Sequence, residues 1–343
     1  MTEGGGYKKT DSRVSAMHLR QNEAYEEGFS RAMHEHRPEI QRAVEHIRES
    51  IDWNILIPIL TKYLHDAGVP EEQFNLAPIT GEMPVRPSKE YVAVYIPNYN
   101  KVGFSSFNSD FMAGVRLLQK NGSIPRLLLM KMQLTLIHEI CHALSENRLA
   151  SRDISASQTV TNARSGFSQS FMAQDIDNRH RAQKKKKVRH PVLNFHEALN
   201  EAVTQRLAEE IMVTYSRAAD TTHGEHFVAS FVERSGKHLW KYSIFANHLH
   251  TMCVKIAEHH NKKPEDIWLN FKRAYFKNPS QFIEETRIVL EEIYGVDFWR
   301  EYQTMGNHTE LKMIGAFDSI NKFPHPRTYP EHWLAQLGIA KNK

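Results

Sequence analysis

Leu134-Thr135-Leu136-Ile137-His138-Glu139-Ile140-Cys141-His142-Ala143-Leu144 is the stretch from which the rest of the chain is read. It contains H-E-x-x-H with apolar flanks. On a helix, positions four apart lie one turn above each other on one face. His138 and His142 would then offer two imidazole nitrogens to a single metal ion, with Glu139 to the side of that face. The context favours a helix: from Arg126 to Asn147 no Gly or Pro interrupts, and Ser123-Ile124-Pro125 supplies capping and first-turn chemistry. Leu, Met, Ile and Ala dominate it, so the helix is expected to be buried. Buried histidines and a buried glutamate require partners. A metal ion is one such partner, and other core polar groups are the alternative.

Upstream of this helix the pattern turns to strands. Tyr91-Val92-Ala93-Val94-Tyr95-Ile96 is rich in β-branched and aromatic residues, Pro97-Asn98-Tyr99-Asn100 is turn chemistry, and Lys101 to Phe107 reads as a return strand. A helix from about Ser109 to Gln119 ends at Asn121-Gly122. Further back, residues 1–16 read as a polar leader, and Ala16 to about Leu64 as helical. Before Ile51 its polar content predicts a mostly exposed helix or arm; Trp53 to Leu60 is apolar enough to dock on a core.

Downstream, residues 148–191 are poor in large apolar residues and end in the basic run Arg179 to Arg189. They read as an insertion, partly flexible, with the basic run on a solvated loop. Within it Gln158 to Thr161 and Phe167 to Phe171 have the composition of short hairpin strands. After Pro191 the chain reads as helical almost to the end, in segments Asn194–Tyr215, Glu225–Arg234, Leu239–His259, Pro264–Phe276 and Ser280–Tyr294. An extended tail follows from Lys322. The organisation is therefore an N-terminal helical extension, 1–64, and one domain, 65–343, carrying the insertion 148–191.

A catalytic zinc takes three protein ligands and keeps a fourth position open. The best third donor lies in Leu199-Asn200-Glu201-Ala202-Val203-Thr204-Gln205. H-E-x-x-H on one helix and Asn-Glu-Ala on a later one resemble the gluzincin metallopeptidases, the thermolysin-type group. The resemblance implies an α+β, zincin-like fold: a small β-sheet before the H-E-x-x-H helix and a mostly helical C-terminal half. It also implies one Zn2+ per chain held by His138, His142 and Glu201, with Glu139 as catalytic base. Two features depart from the family pattern. The interval between the motifs is long, and where the family places an Asp that orients a metal histidine, this chain has Gln205.

Other third donors stay open: Glu197 one turn earlier, His196 and His190. Thr222-His223-Gly224-Glu225-His226-Phe227 is similar to the His-Gly-x-x-Phe element of SprT-like proteases. For the oxyanion of a hydrolytic reaction, Tyr242, His223 and His248 are candidate donors. The expected activity is peptide-bond hydrolysis, which the resemblance implies; the residues alone indicate metal-assisted hydrolysis. The expected partner is a peptide or protein substrate, laid as an added strand along Tyr91–Ile96 or Val102–Phe107. The alternatives are a nucleic-acid-associated protein contacting phosphate through 179–189, and a zinc-binding interaction protein without catalysis.

Composition sets the outer bounds. A chain of 343 residues with 41% hydrophobic content has ample core for a large globular domain. No apolar leader and no uninterrupted apolar run of membrane-spanning length is read, and two cysteines cannot build a disulfide framework. A reduced, cytoplasmic setting without a membrane is the expectation. The net charge of +4 is too small to imply a nucleic-acid partner by itself.

Overall fold

The computed structural model describes residues 8–9, 38–71, 83, 85–86, 92–96, 101–105, 108–155, 158–175, 192–223, 243–277 and 279–303. The remainder of the leader, the run from Ala16 to residue 37, the basic run 179–189, the segment Glu225–Arg234 and the tail from Lys322 lie outside them.

The helix carrying H-E-x-x-H, α4 (Arg126–Leu144), is the centre of the fold. It packs on one side against strands β3 (Ala93–Ile96) and β4 (Lys101–Ser105), and on the other against the long helix α5 (Glu197–His223). Burial on two sides explains its composition: twelve of its residues are buried, and polar Gln133 is satisfied by donating to the carbonyl and hydroxyl of Ser50. It is also the one described helix long and apolar enough to cross a membrane. Because 72% of its apolar window is buried inside the protein, that hydrophobicity serves the core.

Local sequence explains the neighbouring elements. Helix α3 (Ser109–Asn121) starts where the Asn108 side chain accepts from the backbone of Asp110 and Phe111, and stops at Gly122, which adopts φ 71°. Strands β3 and β4 pair antiparallel, Val94 opposite Gly103, and the short strand β2 (Val85–Arg86) joins β4 in parallel. The order β2-β4-β3 leaves β3 at an edge and β4 in the middle.

Helices α1 (Pro38–Glu49) and α2 (Trp53–Asp66) are separate, divided where Asp52 caps α2 by accepting from Asn54. Helix α1 is not the exposed arm that its polar content predicts. Ile40, Ala43, Val44 and Ile47 recur at helical spacing and are buried in the same core as α4 and α5. The charged residues cover the other face.

Residues 147–155 and 158–175 are more ordered than an insertion of their composition implies. They form three antiparallel strands, β5 (Asn147–Ser155), β6 (Gln158–Ser165) and β7 (Ser168–Asp175). Strand β8 (Val192–Phe195) joins β7, and β1 (Lys8–Lys9) lies parallel to β5. This five-stranded sheet leads directly into α5, which begins at Glu197 and runs 27 residues, well past Tyr215. Helices α6 (Ser243–His260), α7 (Pro264–Lys277), α8 (Pro279–Tyr294) and α9 (Val296–Tyr302) complete the described fold, which is α+β and mostly helical.

Candidate metal centre

Helices α4 and α5 bring His138, His142 and Glu201 to one point. The His138 and His142 Nε2 atoms are 3.1 Å apart. Glu201 Oε2 lies 3.2 Å from His138 Nε2, and Glu201 Oε1 lies 3.3 Å from His142 Nε2. All three side chains present one ligand atom within 4.8 Å of the others. Two tetrahedral bonds of about 2.05 Å separate their ligand atoms by about 3.3 Å, so the spacing suits a small four-coordinate ion. The chemistry fits as well. Two imidazole nitrogens and two carboxylate oxygens converge in a largely buried space, and only a cation, a proton or a metal ion, relieves their mutual repulsion. These residues could hold a metal ion.

The Glu201 carboxyl reflects that crowding. Burial alone would raise its pKa, but the His142 and His138 imidazoles outweigh burial and hold it well below the usual carboxylate range. Glu139 behaves in the opposite way. Burial pushes it up to about 7, with Glu201 adding to the rise and His138 opposing it. Its Oε2 accepts a hydrogen bond from the Tyr95 backbone N–H at 2.7 Å. Tyr95 is on the edge strand, and its N–H points away from β4 because Val94–Gly103 is the neighbouring ladder pair. Glu139 and the edge strand are thus joined by one hydrogen bond.

Each histidine has its own supports at Nδ1. For His138 the neighbour is Gln205 Oε1 at 3.1 Å, so Gln205 faces one of the two candidate ligand histidines. His142 Nδ1 faces Asn200 Nδ2 at 3.3 Å, Thr204 Oγ1 at 3.4 Å and the Tyr275 hydroxyl at 3.4 Å. The Thr204 hydroxyl donates to the Asn200 carbonyl at 2.7 Å and accepts from Tyr275 at 2.7 Å. Its remaining lone pair can accept from a protonated His142 Nδ1, whereas the Asn200 NH2 can only donate to an unprotonated one, so these neighbours accommodate either tautomer of His142. Burial raises the Tyr275 phenol well above its ordinary value, so it remains a neutral hydrogen-bonding group.

A glycine pins this support in place. Gly166 opens the two-residue turn between β6 and β7 with φ +55°, and the next residue, Phe167, donates its N–H to Asn200 Oδ1 at 2.9 Å. A Cβ at position 166 would lie 2.5 Å from the Tyr275 ring and 2.6 Å from Asn200 Oδ1. The sheet, α5 and α7 therefore meet behind His142 only because residue 166 has no side chain.

The other candidate donors lie elsewhere or outside the described residues. His196 is buried with φ 58° and its ring packs 5.2 Å from Trp299; burial and Arg164 lower its pKa to about 4. Neither it nor Glu197 joins the cluster of His138, His142 and Glu201. His223 ends α5, about 33 Å along the helix from Glu201 at 1.5 Å per residue, so the SprT-like element begins at the far end. His190, His226 and Tyr242 are outside the described residues, and His248 packs against Tyr302 at 5.4 Å. Sequence reasoning assigned no role to Asn200, Thr204 or Tyr275. The first two sit inside the quoted Glu201 stretch at helical spacing, whereas nothing in the sequence singles out Tyr275.

Comparison of the chain with protein-family models, with curated proteins and with solved structures finds no match.

Proposed function

We propose that this chain is a zinc-dependent metallopeptidase with a zincin-like catalytic domain. The observation that carries this reading is the convergence of His138, His142 and Glu201 beside Glu139, on helices that bury both histidines and Glu139 and half-bury Glu201. Zinc suits a donor set of two imidazoles and one carboxylate, and when bound it supplies Lewis acidity that makes water nucleophilic near neutral pH.

The protein's own groups supply the rest. Glu139 has one oxygen held by the Tyr95 N–H, which orients the carboxylate and leaves the other oxygen to take a proton. Burial raises the pKa of the Glu139 carboxyl, which strengthens it as an acceptor of a proton from water and lets it pass that proton to a leaving amine. The supports at Nδ1 hold both imidazoles in position. An extended peptide fits the edge of β3 beside Ala93, whose backbone groups turn outward and which has no further strand among the described residues; the neighbouring Tyr95 N–H is already given to Glu139. Peptide as the substrate class is further supported by the gluzincin resemblance of the two motifs.

Metal content and peptide-library cleavage, measured together on wild type, Glu139→Gln and Glu201→Ala, test this. Wild type should carry about one zinc per chain. Glu139→Gln should keep the zinc and lose roughly 10²–10⁴-fold in cleavage, because it retains an acceptor for Tyr95 and loses the base. Glu201→Ala should lose zinc. A wild type without bound metal refutes the site, and equal cleavage by Glu139→Gln refutes the role of the base.

A further inference from the structure

We propose that Gln205 and Glu209 form a positioning relay that sets the tautomer of His138 before any metal arrives, with the charge supplied one helical turn further away than a direct carboxylate would place it. The proposal rests on the metal-site reading above for its purpose, though not for its first test.

Glu201, Gln205 and Glu209 follow one another at four-residue intervals along α5. Gln205 Oε1 lies 3.1 Å from His138 Nδ1, while Gln205 Nε2 donates to Glu209 Oε1 at 2.8 Å. An amide has one accepting and one donating end, and its partners decide which way round it sits. Burial raises the pKa of the Glu209 carboxyl and the Gln205 hydrogen bond opposes that rise; an ionised carboxylate can only accept, so Glu209 in that form takes the NH2 end and leaves the carbonyl end to the imidazole. A carbonyl can only accept in turn, so His138 must carry its proton on Nδ1. Nε2 is then left with its lone pair facing His142 and Glu201, the state a metal ligand needs, and the proton that relieves the repulsion before a metal arrives can sit on His142 Nε2, 3.1 Å away.

Without Glu209 the amide has no preferred orientation. Turned round, its NH2 would face Nδ1, favour the opposite tautomer and place a proton on Nε2. Glu209 therefore acts on the tautomer of His138 through its hydrogen bond to Gln205. His142 is supported differently: its Nδ1 faces Asn200, Thr204 and Tyr275, none of which is charged. Loss of the relay should affect one histidine and leave the other unchanged.

The test has two readouts. Imidazole 15N chemical shifts of the metal-free protein report the tautomer, and competition with a chromophoric chelator reports the zinc dissociation constant. Wild-type His138 should show the Nδ1–H form. Glu209→Gln should show a mixture at His138 and no change at His142. Gln205→Leu should weaken zinc binding by roughly 10–100-fold, the usual scale for losing such a partner. Glu209→Gln should weaken it by a smaller factor, and the double variant no more than Gln205→Leu alone, since the relay acts through residue 205.

Exchanging the two groups, Gln205→Glu with Glu209→Gln, restores an acceptor facing His138 and a donor behind it. It should recover both the tautomer and the affinity, which a merely structural role would not predict. Glu209→Gln with a wild-type tautomer overturns the relay, as does failure of the exchange to rescue a folded protein. A wild type that shows the tautomer but binds no zinc would keep the relay and remove the metal reading instead.

Discussion

Alanine at two glycines should separate backbone strain from packing behind the candidate metal site. Gly122 and Gly166 both have positive φ, 71° and 55°. A Cβ at Gly122 meets nothing within 4 Å, whereas one at Gly166 meets the Tyr275 ring at 2.5 Å and Asn200 Oδ1 at 2.6 Å. A left-handed conformation costs a non-glycine residue about 1–2 kcal/mol, and the stiffer unfolded chain returns about 0.4–1 kcal/mol. Gly122→Ala should therefore destabilise by about 1 kcal/mol. Gly166→Ala carries the same backbone term, and the ring it strikes belongs to a fully buried tyrosine that has no room to retreat. Overpacking of that kind adds about 1–3 kcal/mol, so the total should be about 2–4 kcal/mol. Urea unfolding followed by circular dichroism gives both values from the midpoints if the slopes agree. Because Tyr275 and Asn200 both touch His142, Gly166→Ala should also weaken zinc binding while Gly122→Ala leaves it unchanged. Equal destabilisation by the two alanines would refute the packing argument.

Two further outcomes follow from individual side chains. Tyr275→Phe keeps the ring but removes the hydroxyl that serves Thr204 and His142; it should destabilise by about 1 kcal/mol and weaken zinc affinity measured by chelator competition, and an unchanged affinity would remove Tyr275 from the support of His142. His196, whose pKa falls from 6.5 to about 4 chiefly through burial, is neutral in the folded protein at pH values where the unfolded chain has bound a proton. Stability attributable to it is therefore fully present above pH 6.5 and is lost as pH falls towards 4. At 1.36 kcal/mol per pH unit that amounts to about 3 kcal/mol. His196→Asn tolerates the left-handed backbone and should flatten this dependence in unfolding experiments at pH 7 and pH 4.5; the same acid sensitivity in both proteins would show that the loss arises elsewhere.

What the sequence by itself determined was local. Helical spacing puts His138 and His142 on one face, and the unbroken apolar run Arg126–Leu144 makes that helix a buried one. The β-branched residues before it form the strands, and the Asn-Glu-Ala stretch lies on a second long helix. All of these follow from interactions over one or two turns, which composition and period record. The helical period of Ile40, Ala43, Val44 and Ile47 was legible too, but the charged residues between them obscured it.

Strands β5 to β7 were harder to read, because Ser, Thr, Arg and Gln occur throughout them and leave no alternation between an apolar and a polar face. Only the tertiary structure decided which groups meet. Glu201 reaches His138 across 63 positions and Tyr275 reaches His142 across 133, through helix crossings that no local pattern encodes. Whether Gln205 could support a metal histidine depended on the direction of its amide. That direction is set by Glu209 and by the crossing of α4 over α5, and a side chain's hydrogen-bond polarity takes its meaning only from the partners the fold brings to it.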